Sequence, residues 1–334
     1  MAKRVTMAEL AKAANVDAST VSRALNDSPL VKQATKQHVM NVAADLGYVM
    51  HASARSLRRQ SSEAIGMVIP MRPESGQTIS DPFFLEMVGA VSNALSSRGF
   101  DLIVSIPKGE QQIAERRLLQ TGRADGLIII GQAGRTDRLN KLGQLSDRVV
   151  VWGGQTPETN YTIVGSDNVR GGELATEHLF SRGRHNIVFI GETNLPEVRL
   201  RYEGVKKAYK AAGRVHSDAL LLEQNFGGKD TFNAVRELIS GGIAFDAIFA
   251  ASDVLAMTAI HALQAAGKSV PGDVSVVGYD NIGQSSLMTP ALTTVDQHIA
   301  EGGELMVDLL LKKLAGGEVR SRTTSTELIV RDSS

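Results

Sequence analysis

Arg23, Ser19 and Ser22 stand in one short helical stretch, ASTVSRAL, within a sequence that reads TMAELAKAANVDASTVSRALN from Thr6 to Asn26. A guanidinium can grip two acceptors at once, guanine O6 and N7 or a pair of phosphate oxygens. Neighbouring hydroxyls can donate or accept at base edges. Further on, ARSLRR (54–59) sets one apolar side chain, Leu57, among Arg55, Arg58 and Arg59. An apolar residue flanked by cations suits a wedge between base steps in a minor groove. A third group of residues lies at the ends of apolar runs: Asp81, Phe83 and Phe84; Trp152; Asp167 and Asn168; Arg199 and Arg201; Phe226; Ser252 and Asp253; Asp280 and Asn281. Acids and amides with aromatic rings converging on one crevice would hold a small polar ligand.

The elements that must position these residues follow from pattern. Two short helices, Thr6–Ala13 and Asp17–Leu25, flank a turn at Asn15, a residue that tolerates positive φ. The second helix presents Ala18, Ser19, Ser22 and Arg23 outward, as a helix laid in a major groove does. A third helix, about Lys32 to Leu46, turns Val39, Val42, Ala43 and Leu46 inward and stops at Gly47, with Tyr48 folding back on the core. From Glu63 short apolar strands alternate with helices, in two runs of about five units. That grammar predicts doubly wound parallel sheets in two similar subdomains, with ligands at the carboxyl ends of the strands. The tail adds a strand near Leu292–Val295, a helix near Gln297–Leu314 and one final strand around Thr324–Val330. The expected division is a DNA-binding head at 1–48, a hinge at 49–62 and a body at 63–334. Within the body, an N-subdomain takes 63–161 and 293–320, and a C-subdomain takes 162–292 and 321–334.

Composition narrows the function classes. The 334 residues carry 36 basic and 36 acidic side chains and no cysteine, which excludes disulfides, thiolate catalysis and Cys-ligated zinc. The first 60 residues hold nine Lys/Arg against four acids, so a basic head joins an acidic body, as suits a phosphate-facing module. There is no secretory leader pattern and no bilayer-length apolar run, so a cytoplasmic protein with no membrane partner is expected. No G-x-G-x-x-G follows the first strand, no phosphate-loop motif occurs, and neither a Ser/His/Asp set nor metal-spaced histidines are found. No catalytic residue, metal or cofactor is therefore expected. A solute-binding protein would need an export signal and no helical head. A sugar-converting enzyme would need a general acid/base pair in the crevice, for which Asp167 and Asp280 are candidates on paper alone.

In order and spacing, TVSRALN (20–26), LGY (46–48), ARSL (54–57), DPFF (81–84), SDN-x-x-GG (166–172), R-x-R-x-x-G (199–204), GYDN (278–281) and TPALTTV-x-Q (289–297) closely resemble the lactose-repressor and purine-repressor family of bacterial regulators. The likeness spans nearly the whole chain. It implies a helix-turn-helix head on a periplasmic-binding-protein-like body, a homodimer, and a pseudo-palindromic operator. Binding would be controlled by a small effector, with a sugar or glycoside inducer preferred and a nucleobase corepressor as the alternative. The DNA-facing residues become Thr6, Ala18, Ser19, Thr20, Ser22, Arg23, Asn26, Ala54, Arg55 and Leu57. The effector residues become Phe83, Phe84, Trp152, Asp167, Arg199, Arg201, Phe226, Ser252, Asp253, Asp280 and Gln297. Asn15 stands where the family usually has glycine, Ala18 is smaller than is common there, and Met50-His51 departs from the usual approach to the hinge. No heptad tail follows Val330, which argues against a tetramer built on a C-terminal coiled coil.

Overall fold

The structure is a computed structural model that describes residues 5–48, 61–72, 75–107, 113–226 and 228–334. The chain divides into two compact units, Met1–Ser62 and Glu63–Ser334. In the first, helices α1 (Met7–Ala13), α2 (Ala18–Leu25) and α3 (Gln33–Asp45) enclose a small core of Leu10, Ala11, Ala14, Val21, Ala24, Val39 and Ala43. Thr6 and Glu9 close a reciprocal capping box on α1, and Asp17 caps α2 by accepting from Thr20 N at 2.8 Å. Asn15 takes φ 51° in the turn, as its residue type allows. Tyr48 packs on this core as expected, whereas Leu46 stays exposed at the end of α3.

The second unit holds two sheets of six strands each among the described residues. The first contains β1 (Ala64–Val68), β2 (Asp101–Ser105), β3 (Gly126–Ile130), β4 (Val149–Trp152), β5 (Thr162–Ser166) and β11 (Arg322–Thr324), in the order β11-β5-β4-β3-β1-β2, all parallel. The second contains β6 (Ile187–Ile190), β7 (Leu221–Leu222), β8 (Ala247–Ala250), β9 (Ser275–Asp280), β10 (Thr293–Asp296) and β12 (Glu327–Ile329), in the order β12-β10-β9-β8-β6-β7. Only β12 runs antiparallel. Strands such as GLIII and VVVW are buried at every position because helices cover both faces. The covering helices are α4 (Pro82–Ser96), α5 (Ile113–Gln120), α6 (Thr136–Leu145) and α11 (Ile299–Leu314) in the first lobe. The second lobe has α7 (Asn168–Ser181), α8 (Pro196–Ala211), α9 (Gly228–Ser240) and α10 (Asp253–Ala265).

The lobe boundaries differ from the sequence expectation. Strand 162–166 pairs with β4 and so completes the first sheet, while strand 293–296 pairs with β9 in the second. The single final strand is two: 322–324 joins the first sheet and 327–329 the second. An apolar run shows that a segment is a strand but not which sheet it enters, because the two sheets use the same residue types. The three crossings lie after β5, after β10 and between β11 and β12. Polar groups stitch them together. Ser166 Oγ donates to Gln297 Oε1 at 3.3 Å, Thr324 Oγ1 to Gln297 O at 2.9 Å, and Asp167 N to Thr326 Oγ1 at 3.0 Å.

Glycines set how closely the helices of the second lobe approach. A Cβ on Gly172 would lie 2.1 Å from Arg201 O, and one on Gly204 2.2 Å from Val169 O. The motifs SDN-x-x-GG and R-x-R-x-x-G are thus the two sides of one α7–α8 crossing, where backbones touch without side chains between them.

Candidate functional site

In the head, Ala18, Ser19 and Arg23 are exposed on α2, Thr20 and Asn26 are half-buried, and Ser22 is buried. Ser22 therefore does not face outward as expected. It is only 8% exposed, beside Val21 of the small core. Thr6 is exposed, and its hydroxyl is engaged in the α1 cap. Ser19 Oγ and Thr20 Oγ1 donate to the Asp17 carboxylate at 2.6 and 2.9 Å, so toward any further partner each hydroxyl can act only as an acceptor. These bonds hold the Asp17 carboxyl far below the usual carboxylate range. Ala54, Arg55 and Leu57 lie outside the described residues.

In the body, a cavity of about 80 Å³ sits between the lobes at the carboxyl ends of the strands. That is well above the roughly 10–15 Å³ needed to admit a single water, so the cavity has room for a small ligand or several waters. Phe83, Phe84, Trp152, Arg201, Phe226, Ser252, Asp280 and Gln297 line it together. Trp152 packs closely against Gly302, where a Cβ would come within 2.2 Å of the ring. Arg201 is buried, its Nε donating to Asn168 Oδ1 at 2.8 Å and its guanidinium 3.6 Å from the centre of the Tyr279 ring. Asp280 ends β9 with φ 121° and Asn281 follows with φ 55°, a left-handed pair at the head of the cavity. The bonds around them hold that geometry. Gln297 Nε2 donates to Asp280 Oδ1 at 2.6 Å, Asn281 Nδ2 to Asp296 Oδ2 at 2.8 Å, and Arg331 Nη2 to Asn281 Oδ1 at 2.7 Å. Burial pushes the Asp280 carboxyl well up against the opposing charge of Arg201, with Asp253 and Asp81 adding to the rise.

Three expected residues stand elsewhere. Asp167 is exposed and spent as the α7 N-cap, accepting from Arg170 N at 2.9 Å. Arg199 is exposed because positions two apart on a helix face different ways, while Glu197 and Arg201, four apart, share a face. Asp253 is buried beneath the cavity as a structural bracket, accepting from Ile282 N at 3.0 Å and from the hydroxyls of Ser285 and Thr294. Burial raises its pKa as well.

The cavity also recruits residues that the sequence reading did not select, chiefly Arg72, Gln77 and Glu197, and Asp81, noted at the end of its apolar run, joins them. Asp81 caps α4 by accepting from Phe83 N at 3.1 Å, and burial raises its pKa. Arg72, past β1, and Glu192, past β6, form a two-pronged ion pair across the lobes, with Nη1 to Oε1 at 2.7 Å. Glu86 Oε1 accepts from Gly283 N at 2.8 Å as a second clasp. Glu197 is visible in sequence only through its i, i+4 relation to Arg201. Its Oε2 is closed off from solvent and has no hydrogen-bond partner. Burial pushes Glu197 up over the opposing pull of its own backbone N–H and the charges of Arg201 and Arg72. Because the folded pKa lies above the unfolded one, the penalty for the charged form is full at pH above the folded value and gone below the unfolded value. Glu197→Gln is therefore expected to raise the Tm at pH 8, with the gain shrinking toward pH 5. A Tm unchanged at both pH values would contradict this.

Residues 62–331 match the family described as periplasmic binding proteins and sugar binding domain of LacI family, and residues 6–50 match the bacterial regulatory proteins of the lacI family. The chain belongs to the LacI family. The HTH-type transcriptional repressor PurR of Haemophilus influenzae is 31% identical over 339 residues, covering 98% of each chain. The ribose operon repressor of Escherichia coli K12 is 31% identical over 316 residues, 92% of this chain and 93% of that one. A solved complex of the regulator CelR with cellobiose superposes with a TM-score of 0.72 at 29% identity, covering 99% of this chain and 100% of that one. LacI-family membership makes the head a DNA-binding helix-turn-helix and the body a ligand-binding domain, and its relatives are transcriptional regulators rather than enzymes.

Proposed function

We propose that the protein is a cytoplasmic, homodimeric repressor whose operator affinity is set by a sugar or glycoside effector bound between the lobes. The carrying observation is the cavity itself. Carboxylates and amides (Asp81, Glu197, Asp280, Gln77, Gln297) stand beside aromatic faces (Phe83, Phe84, Trp152, Phe226). Carboxylates accept from hydroxyls, while rings cover the C–H face of a sugar. Related regulators named for ribose, or solved with cellobiose, support that ligand class. Exposed apolar residues of the first lobe (Leu85, Val104, Ile106) offer a surface for a second copy. The residues that would touch the operator are Arg23, Ser19, Ala18, Thr20 and Asn26, with Arg55 and Leu57 of the basic segment. Effector binding works by differential affinity for two lobe arrangements, one of which favours the operator.

A nucleobase corepressor is the second reading, favoured by the purine-repressor relative and by the flat aromatic walls. Thermal-shift titration with monosaccharides, glycosides and purines separates the two, and a shift given by purines alone would overturn the sugar assignment. For the head, Arg23→Ala should weaken operator binding by about 1–3 kcal/mol, roughly five- to 150-fold. Wild-type binding should fall steeply with salt in a gel shift. Undiminished operator binding by Arg23→Ala would remove this residue from the interface.

A further inference from the structure

The charges around the cavity do not balance. Asp81, Glu192, Glu197 and Asp280 face it or its rim, against two guanidiniums, Arg72 and Arg201. Arg72 is engaged by Glu192 in the clasp between the lobes. Arg201 gives Nε to Asn168 and Nη1 to Ala251 O, stacks on Tyr279 and faces Asp280. Asp280 further accepts from Gln297, Asp81 from Phe83 N, and Asp253 below from two hydroxyls and a backbone N–H. Glu197 is left over, with Oε2 buried at the cavity wall and no donor aimed at it. A buried carboxylate oxygen without a partner costs more than a neutral one, and a cation relieves it better than a hydroxyl does.

We infer, resting on the sugar reading above, that the effector is a sugar or polyol bearing a protonated amine, and that Glu197 receives the ammonium. With the amine on Glu197, the remaining hydroxyls meet Asp280, Asp81 and Gln297, and the ring lies on Trp152 or Phe84. The same charge pattern rejects sugar phosphates and sugar acids, because an anion would enter among the carboxyl groups of Asp81, Glu197 and Asp280. Glu197 thereby sets ligand class and not merely affinity.

The test uses the full-length protein in thermal shift and calorimetry. The probes are glucose, galactose, mannose and ribose, the 2-amino forms of the three hexoses, their N-acetyl derivatives, glucosamine 6-phosphate, glucuronate and adenine. The expected result is saturable binding by at least one free amino sugar, about tenfold or more tighter than its neutral and N-acetyl counterparts, with no shift from the anions. In Glu197→Gln that preference collapses to near parity, while the fold, read by circular dichroism, stays intact. Equal or stronger binding by a neutral sugar, no amino sugar binding at all, or an amine preference that survives Glu197→Gln overturns the inference. The first and last of these leave the sugar reading standing. A response to adenine alone removes the sugar reading along with the inference.

Discussion

Arg201→Ala is expected to abolish the effector response and to cost the body about 3–5 kcal/mol, because it strips a buried carboxylate of its neighbouring charge. Arg201 joins three parts of the second lobe: Asn168 at the start of α7, Ala251 past β8, and the Tyr279-Asp280 end of β9. Asp280 can take up a proton when the guanidinium is gone, since burial already raises its pKa. The loss should therefore be larger at pH 8 than at pH 5. Arg201→Lys keeps the charge without the planar fork and should fall between. Urea unfolding at the two pH values reads the stability, and effector-dependent operator release reads the coupling. A variant within about 1 kcal/mol of wild type, still responsive to effector, would show that Arg201 does not organise the site.

Gly204→Ala should be nearly as damaging without touching any ligand. Its Cβ would lie 2.2 Å from Val169 O and 2.8 Å from Glu173 N, both backbone atoms that cannot swing aside. Helices α7 and α8 must then separate, and overpacking of this kind costs about 1–3 kcal/mol. That separation moves Asn168 away from Arg201, so effector affinity should drop together with the Tm. Gly89→Ala provides the contrast. Gly89 lies inside α4, exposed and with open space where a Cβ would go, so alanine there should stabilise by about 0.5–1 kcal/mol. If both variants unfold at the same urea concentration, backbone contact at the crossing is not what fixes the site.

The sequence made the architecture legible because periodicity is local. The run-lengths and caps of α1 to α3, with Asn15 at its turn, are written in neighbouring residues, as are the strands of the body. Sheet membership was not, since nothing in TIVGS or TTVD marks one sheet over the other, and the split at Ser325-Thr326 hides inside a single polar-apolar run. In the cavity, ends of apolar runs led to Phe84, Trp152, Phe226 and Asp280, which line it together because the carboxyl ends of the strands converge there. They failed where one residue's orientation decides. Asp167 and Asp253 sit at equally good positions but spend their oxygens on a helix cap and on a buried bracket. Arg199 and Glu197 differ only by helical phase. Arg72 could not be found at all, since its place follows from a partner 120 residues away.

The doubled tail has a consequence for synthesis. Residues 322–324 and 327–329 supply an edge strand to each sheet, and Ser333 is buried between the carbonyl of Val276 and the N–H of Thr293. Neither lobe can finish on the ribosome while those residues remain in the exit tunnel, whereas the three helices of the head, Met7–Asp45, are all made early. A nascent chain thus carries a complete three-helix head long before its control domain can close. A message cut short ahead of codon 322 would yield that head attached to two unfinished lobes, a product that proteases can recognise by its open sheet edges.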